Sequence, residues 1–174
     1  VALTGLANGG GGEAVLAADT FFLNGLEMPV FTEDTQRELG KVVDSVGSIL
    51  SNPLDLSQAY RNPALISHAV EIALKDPQVT TLVALEYFDV HSCIDGVAKT
   101  KELNDYLMGA RDRAGKKMVM VMPPALNEDE RIAEENRFNQ AGIPVYPTLE
   151  RAAKALHNLK KLSHRNQSFP VIPV

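Results

Sequence analysis

The chain alternates short, nearly uninterrupted apolar runs with amphipathic stretches of helical spacing. A strand that is covered on both faces needs apolar residues at consecutive positions, whereas a strand with one wet face alternates. Five runs have the first character: Val1–Ala7, Met28–Phe31, Val79–Phe88, Lys117–Met122 and Ile143–Tyr146. The pattern therefore predicts five buried strands in a parallel sheet.

The segments between these runs have the marks of helices. One of them places Leu103, Tyr106, Leu107 and Ala110 at the spacing of a single helix face. Capping signals are also present: Thr32, Asn62 before Pro63, and Thr148 for helix starts, and Asn24-Gly25 for the end of the first helix. Strand alternating with helix predicts an α/β domain, a flavodoxin-like three-layer sandwich with a parallel five-stranded sheet of order 2-1-3-4-5.

The length of 174 residues fits one domain. We expect this domain to occupy residues 1–163, with residues 164–174 forming a C-terminal tail or linker because they hold two prolines and no periodicity. Residues 46–61 are the one irregular segment, which we expect to connect two helices. Because the chain opens on Val1 without an initiator Met, we expect it to belong to something longer.

Composition excludes several classes of function. The net charge is −5 and no basic run occurs, so a nucleic-acid partner is not expected. The apolar stretches are too short to cross a bilayer, so no membrane partner is expected either. The single cysteine, Cys93, excludes an internal disulfide and indicates a reducing compartment, so we expect a cytoplasmic protein.

A glycine run follows the first predicted strand and leads into a predicted helix from Glu13 to Asn24. The run and its neighbours form the candidate anion site: Asn8, Gly9, Gly10, Gly11, Gly12 and Glu13. Glycines let a ligand approach the backbone, and the N–H groups and dipole of a helix start favour an anion. The run lacks the Lys-Ser or Lys-Thr of a Walker A loop and the third glycine of a dinucleotide fingerprint. A tight turn without a ligand is the alternative, and the Glu13 carboxylate opposes a bound phosphate.

At this point the sequence resembles a known family. Gly11-Gly12, Ala17-Ala18-Asp19 and Gly25-Leu26 match the last flavodoxin-like CoA-ligase domain of NDP-forming acyl-CoA synthetases, which include ADP-forming acetyl-CoA synthetase and are related to succinyl-CoA synthetase. Asn52–Leu56 is similar to the family's N-P-V-D-L, and Gly142–Tyr146 to its G-I-P-V-Y. The three motifs cover the chain in the family's order. The run departs from the pattern in its length and in Glu13, where the family often has proline.

The resemblance implies a function shared among several domains. Such synthetases interconvert acyl-CoA, NDP and phosphate with acid, CoA and NTP through a phosphohistidine, which two helix N-termini hold. The glycine run and the helix that follows Gly12 resemble one of the two. The implied partners are a CoA-binding domain, a flavodoxin-like domain that carries the histidine, and an ATP-grasp domain. CoA, ATP or ADP, and Mg are implied for the full enzyme, with no cofactor bound by this domain alone and no activity in the isolated chain.

Other polar residues have weaker interpretations. His91 and Ser92 fall in a predicted loop, Asp89–Cys93, beside the glycine run, where packing is favoured over ligand contact and catalysis. Asn52 and Asp55 lie in a predicted turn, with Asp55 accepting backbone N–H groups or contacting substrate. No residue is assigned a catalytic role, and His91 with Cys93 offers too few ligands for a metal.

Two further functions stay open. The first alternative is a non-catalytic regulatory or scaffold domain of a synthetase-like protein, for example one fused to an acetyltransferase. The second is a small-anion-binding module. The acyl group and the nucleotide are not specified by the residues.

Overall fold

The structure is a computed structural model that describes residues 2–5, 10–43, 47–56 and 62–167, with side chains throughout except at 2–5, 10, 91, 94–95 and 164–167. Twelve elements lie in these ranges. In chain order they are β1 Ala2–Gly5, α1 Gly10–Leu23, α2 Glu33–Val42, β2 Leu54–Asp55, α3 Pro63–Lys75, β3 Thr81–Leu85, α4 Phe88–Asp95, α5 Val97–Ala114, β4 Lys117–Val121, α6 Glu128–Gln140, β5 Val145–Tyr146 and α7 Leu149–Gln167.

The strands form one sheet in the order β2-β1-β3-β4-β5, and every neighbouring pair is parallel. This is the predicted strand order. Gly5, the last residue of β1, pairs with Asp55 on one side and with Leu85 on the other. The ends of the three strands therefore lie side by side at one edge, which we call the carboxyl edge; the opposite edge, where strands begin, is the amino edge.

Helices cover both faces of the sheet. Leu82, Ala84 and Met120 face a core shared with α2, α3, α5 and α6, and the neighbouring Val83 and Val119 face a second core formed with α1 and α7. Since successive strand residues point to opposite faces, both must be apolar, which explains the continuous apolar runs. The alternating methionines of β4, Met118 and Met120, lie in the first core.

The second strand is not the one predicted. Met28–Phe31 forms no strand, and the sheet is completed by Leu54–Asp55, within the segment expected to be irregular. The backbone near Met28 bonds to side chains instead: the carbonyl of Pro29 accepts from Asn52 Nδ2 at 3.0 Å, and Thr32 N donates to Asp76 Oδ2 at 2.8 Å. A two-residue strand leaves no periodicity that a sequence reading can detect.

Asp76 fixes this segment from the amino edge. Its buried carboxylate also accepts from the Thr32 hydroxyl at 3.0 Å and from Gln78 N at 2.8 Å. Burial raises the pKa of Asp76, but hydrogen bonds from Thr32, Thr35 and Gln78 outweigh it, and the pKa lies below its usual value. The carboxylate is therefore held ionised inside the fold.

The capping predictions agree with the structure. The Thr32 side chain accepts from Thr35 N at 3.3 Å, Asn62 accepts from Leu65 N at 3.1 Å, and Thr148 accepts from Arg151 N at 3.3 Å. Gly25, with φ of 66°, follows the end of α1 at Leu23. A left-handed residue here is what glycine provides at low cost.

Three helix boundaries differ from expectation. α1 begins at Gly10, three residues before Glu13. The expected loop Asp89–Cys93 is helical and belongs to α4. α7 continues to Gln167, into the segment expected to be a tail, and residues 168–174 lie outside the described ranges. Among the helices described, none has the length and apolar character needed to cross a membrane.

Candidate functional site

The candidate site is the carboxyl edge at the centre of the sheet. β1, β3, β4 and β5 each lead from this edge into a helix, so the N-termini of α1, α4, α6 and α7 gather here. Ligands of parallel α/β sheets bind beyond the strand ends, where the strand order reverses. In this sheet that position lies between β1 and β3, next to the glycine run.

The glycines form the first turn of α1, not a loop before it. The first N–H groups of a helix have no acceptor within the helix, which places the available donors at Gly10, Gly11 and Gly12. A Cβ built on Gly11 or on Gly12 would meet no atom within 4 Å, and neither has a positive φ. Nothing in the described chain therefore requires glycine at these two positions, and the open space allows an outside group to reach the backbone. Asn8 and Gly9, predicted for the same site, lie outside the described residues.

Glu13 lies in the first turn of α1 and is engaged by a residue that the sequence did not single out. The Tyr87 hydroxyl donates a hydrogen bond to the Glu13 carboxylate. Burial, that hydrogen bond and the charges of Glu13 and Glu150 raise the pKa of Tyr87 to about 12. Tyr87 was missed because it fell inside the predicted strand Val79–Phe88, where an aromatic residue indicates core.

Several acidic residues lie at the carboxyl edge. Glu86 directly follows β3 and is fully buried, Asp55 ends β2 and is buried, and Glu150 lies in the first turn of α7. The pKa of Glu150 is lowered because its carboxylate accepts hydrogen bonds from its own backbone N–H and from the Thr148 hydroxyl. Each carboxylate in a first turn complements the positive end of a helix dipole. The same charges repel a bound anion.

The residues of the expected ligand loop have structural partners. The Asp89 carboxylate accepts from the backbone N–H groups of Leu126 and Asn127, which joins α4 to the start of α6. Ser92 Oγ donates to the Asp89 carbonyl at 3.3 Å, one turn back in the same helix. Cys93 is exposed. His91 lies in α4, and its side chain is outside the described set.

Asn52 lies before the first residue of β2, and Asp55 is the last residue of that strand. Asp55 ends the strand beside Gly5, and its backbone exchanges two hydrogen bonds with Ile49, at 3.0 and 2.9 Å. Asn52 precedes the strand and binds Pro29, away from the carboxyl edge. The structure thus brings Asp55 to the glycine run and separates Asn52 from it. Within the described ranges, no three His, Cys, Asp or Glu side chains are grouped to hold a metal ion.

The outward side of α1 is apolar. Val15, Leu16, Phe22 and Leu23 are each more than half exposed, up to 82% at Leu23. We call these four side chains the outer face of α1. A cleft of about 640 Å³ adjoins it, with Phe22, Met28 and Pro53 in its lining. Exposed apolar patches of this kind mark interaction surfaces or ligand-binding grooves.

Comparisons with known proteins were made at the levels of sequence and structure. No protein-family model matches the sequence, and no curated protein matches it. The crystal structure of PH0766 from Pyrococcus horikoshii OT3 matches 94% of this chain with a TM-score of 0.72 and 20% identity. A dinucleotide forming acetyl-coenzyme A synthetase 1 from Ca. Korarchaeum cryptofilum, solved in complex with phosphate and ADP, matches 94% with a TM-score of 0.66 and 24% identity.

The chain spans about a third of each of these two proteins, 35% and 32%. At this level of identity the likeness is one of fold. The chain therefore has the fold of one part of a larger acetyl-coenzyme A synthetase chain, and at the level of fold this supports the resemblance read from its motifs.

Proposed function

We propose that this chain is a flavodoxin-like domain of an NDP-forming acyl-CoA synthetase, and that the N-terminus of α1 supplies half of a cradle for a phosphohistidine carried by another domain. The observation that carries the proposal is the position of the glycine turn at the carboxyl edge, in a fold shared with an acetyl-coenzyme A synthetase. The three sequence motifs support the same assignment.

The backbone of α1 suits this role. The N–H groups of Gly10, Gly11 and Gly12 have no acceptor inside the helix, and no Cβ blocks their approach. A helix start favours an anion by about 0.3–1 kcal/mol at an exposed position. A contribution of that size supports no better than millimolar binding by itself. The second half of the cradle, or cations from a partner domain, must supply the rest.

Glu13 sets the charge balance of the site. Its carboxylate lies in the same helical turn as the glycines and is held by Tyr87. The start of α1 therefore already has a negative group beside it, the carboxylate of Glu13. A phosphoryl group would need a partner's positive charge to offset Glu13 and Glu150.

The exposed side chains of the outer face of α1 are an argument for a partner domain that packs against this helix. Phe22 and Leu23 are about four-fifths exposed, and burying such a side chain is worth about 1.5–3 kcal/mol. The proposed partners are the CoA-binding, histidine-bearing and ATP-grasp domains of a cytoplasmic synthetase. CoA, ATP or ADP, and Mg would be bound by those domains.

A phosphate titration tests the cradle. In ¹⁵N-labelled protein, inorganic phosphate should shift the amides of residues 10–13 with millimolar or weaker affinity. Glu13→Gln should tighten binding because it removes the opposing carboxylate, and Gly12→Val should abolish it because its side chain crowds the N–H groups. Absence of shifts at these amides even in Glu13→Gln would contradict a phosphoryl cradle. Acyl-CoA-dependent ATP formation by the 174-residue chain alone would contradict the assignment to a partial domain.

One observation favours a second function. The carboxylate of Glu13 in the helix start, held by Tyr87, is what a domain without phosphoryl chemistry would retain as a helix-stabilising charge. In that case the domain is a regulatory or scaffold module of a synthetase-like protein. The sequence of the longer gene separates the two: an intact ATP-grasp domain and Ser-His-Thr-Gly segment favour the enzyme, and an acetyltransferase domain favours the module. A small-anion-binding module is the third alternative, and a gene that encodes no neighbouring synthetase or acetyltransferase domain would favour it.

A further inference from the structure

A second cleft lies at the amino edge, on the opposite side of the sheet from the glycine run. It has a volume of about 660 Å³, which falls in the range of ligand pockets. The first residues of β3 and β4, Thr81 and Lys117, pair with each other and form part of its wall. Residues 142–144, before β5, and the C-terminal part of α7 complete it. We call it the amino-edge cleft.

Positive charge is concentrated in this cleft. Arg111, Lys116, Lys117 and Lys160 line it, against one lining carboxylate, Glu27. The protein as a whole has a net charge of −5, so this local excess is contrary to the overall balance. A cleft with charges of one sign concentrates counter-ions, because its low-dielectric walls focus the field.

The contacts of these cations leave half of the positive charge unbalanced. Lys116 Nζ donates to the carbonyl of Val79 at 2.8 Å, and Arg111 donates to the carbonyl of Ala141 at 2.6 Å. A carbonyl is neutral, so these bonds orient the cations at the wall without cancelling their charge. Two carboxylates take part: Glu27 lies 3.0 Å from Lys160, and Asp112 lies 3.2 Å from Arg111. Four cations and two carboxylates give an excess of two positive charges.

Apolar residues form another part of the lining. Leu156 and Leu159 of α7 line it, together with Met118, Val119 and Ile143, which are nearly fully buried. Leu159 is 61% exposed, so the apolar wall reaches the cleft mouth. A ligand that fits both halves of the lining has an apolar body and an anionic group.

We propose that the amino-edge cleft binds a small organic anion, an aromatic or aliphatic body that carries a phosphate or carboxylate. The apolar body contacts Leu156 and Leu159 of α7, and the anionic group lies among Lys116, Lys117 and Arg111. This site is separate from the carboxyl edge and does not depend on the function proposed above. The two halves of the ligand bind together, so neither inorganic phosphate nor a neutral apolar molecule reproduces the affinity.

Phenyl phosphate is the probe, with inorganic phosphate and benzyl alcohol as matched controls. In ¹⁵N-labelled protein, phenyl phosphate should produce saturable shifts at residues 116–119 and 142–144. Its dissociation constant should be at least about tenfold lower than that of either control, a difference of about 1.4 kcal/mol. Shifts confined to residues 10–13 would overturn the proposal, and so would equal binding of benzyl alcohol.

Three surface variants locate the anion. Lys117→Gln should weaken phenyl phosphate binding by up to about fivefold, in the range of an exposed charge pair. Leu159→Glu places a carboxylate at the mouth and should weaken binding more than Lys117→Gln does. Lys154→Gln, on the same helix but outside the lining, should leave the affinity unchanged. Equal effects of Lys117→Gln and Lys154→Gln would mean that overall charge, and not this cleft, determines binding, which contradicts the proposal.

Discussion

The two edges of the parallel sheet carry opposite charges. At the carboxyl edge, helix N-termini meet the carboxylates Glu13 and Glu150; at the amino edge, helix C-termini meet the cations Arg111 and Lys160. Each set compensates the dipoles of the helices that end there. The comparison shows that a helix start suited to anions by its backbone can be opposed by its own side chains. At the amino edge, the helix C-termini disfavour an anion by their dipoles, but the side chains there supply an excess of positive charge.

The largest expected effect concerns a buried carboxylate at the amino edge. Asp76→Ala removes the acceptor for Thr32 N, the Thr32 hydroxyl and Gln78 N. Leaving such donors without a partner costs about 1–3 kcal/mol, so the free energy of unfolding should fall by at least that amount. Urea denaturation measures it. Because the folded pKa of Asp76 is lowered, its contribution is present above its ordinary pKa and is lost as pH falls through the folded value.

Asp112→Ala is the matched control at the same edge. Asp112 is exposed and pairs with Arg111, so its removal should change the free energy of unfolding by about 0–1 kcal/mol. Similar losses in the two variants would show that the charge, and not the buried hydrogen bonding of Asp76, stabilises this edge.

A smaller effect tests the charge at the carboxyl edge. Glu13→Gln removes a hydrogen-bonding carboxylate from Tyr87, so the pKa of Tyr87 should fall below about 12 but remain above its ordinary 10.0, because burial persists. Tyrosinate absorbance on titration measures it, with Tyr87→Phe identifying the contribution of this residue. An unchanged pKa in Glu13→Gln would refute the contact. In the wild type, the neutral phenol stabilises the fold below pH 10, and this contribution is lost as pH rises towards 12.

The smallest effect concerns the start of α6, at the same edge. The Glu128 carboxylate accepts hydrogen bonds from Arg131 and from the backbone N–H of Ala125, and these bonds lower the pKa of Glu128 to about 2. Its stabilising contribution is therefore present above the ordinary value of 4.5 and is lost as pH falls towards 2. Urea denaturation of wild type and Glu128→Gln should show a difference at pH 7 that shrinks as pH falls from 5 to 3. Glu130→Gln is the control in the same helical turn, and an equal pH dependence in both variants would contradict the role of Glu128.

Residues that act within one segment could be read from the sequence. The caps Thr32 and Asn62 bond to N–H groups three residues along, and the continuous apolar runs of β3 and β4 follow from two covered faces. These features depend on neighbours in the chain, which the sequence shows directly. The strand order followed from the alternation of strand and helix.

Other features depended on distant partners. β2 is two residues long and exists because Leu54 and Asp55 pair with Thr4 and Gly5, about fifty positions away. Met28–Phe31 was apolar enough to predict a strand, but its backbone is bound by Asn52 and Asp76. Local pattern cannot choose between two short candidates for one sheet position when the choice is made by long-range hydrogen bonds.

The sequence by itself determined the fold class, the helix caps and the position of the glycine turn, because apolar periodicity and capping chemistry are local properties of the chain. The tertiary structure alone decided the partner of Glu13 and the existence of the amino-edge cleft. Tyr87 meets Glu13 across 74 positions, and Lys117 meets the wall of α7 only after the strands have paired. Electrostatic contacts act through space, so their partners are fixed only when packing brings the elements together.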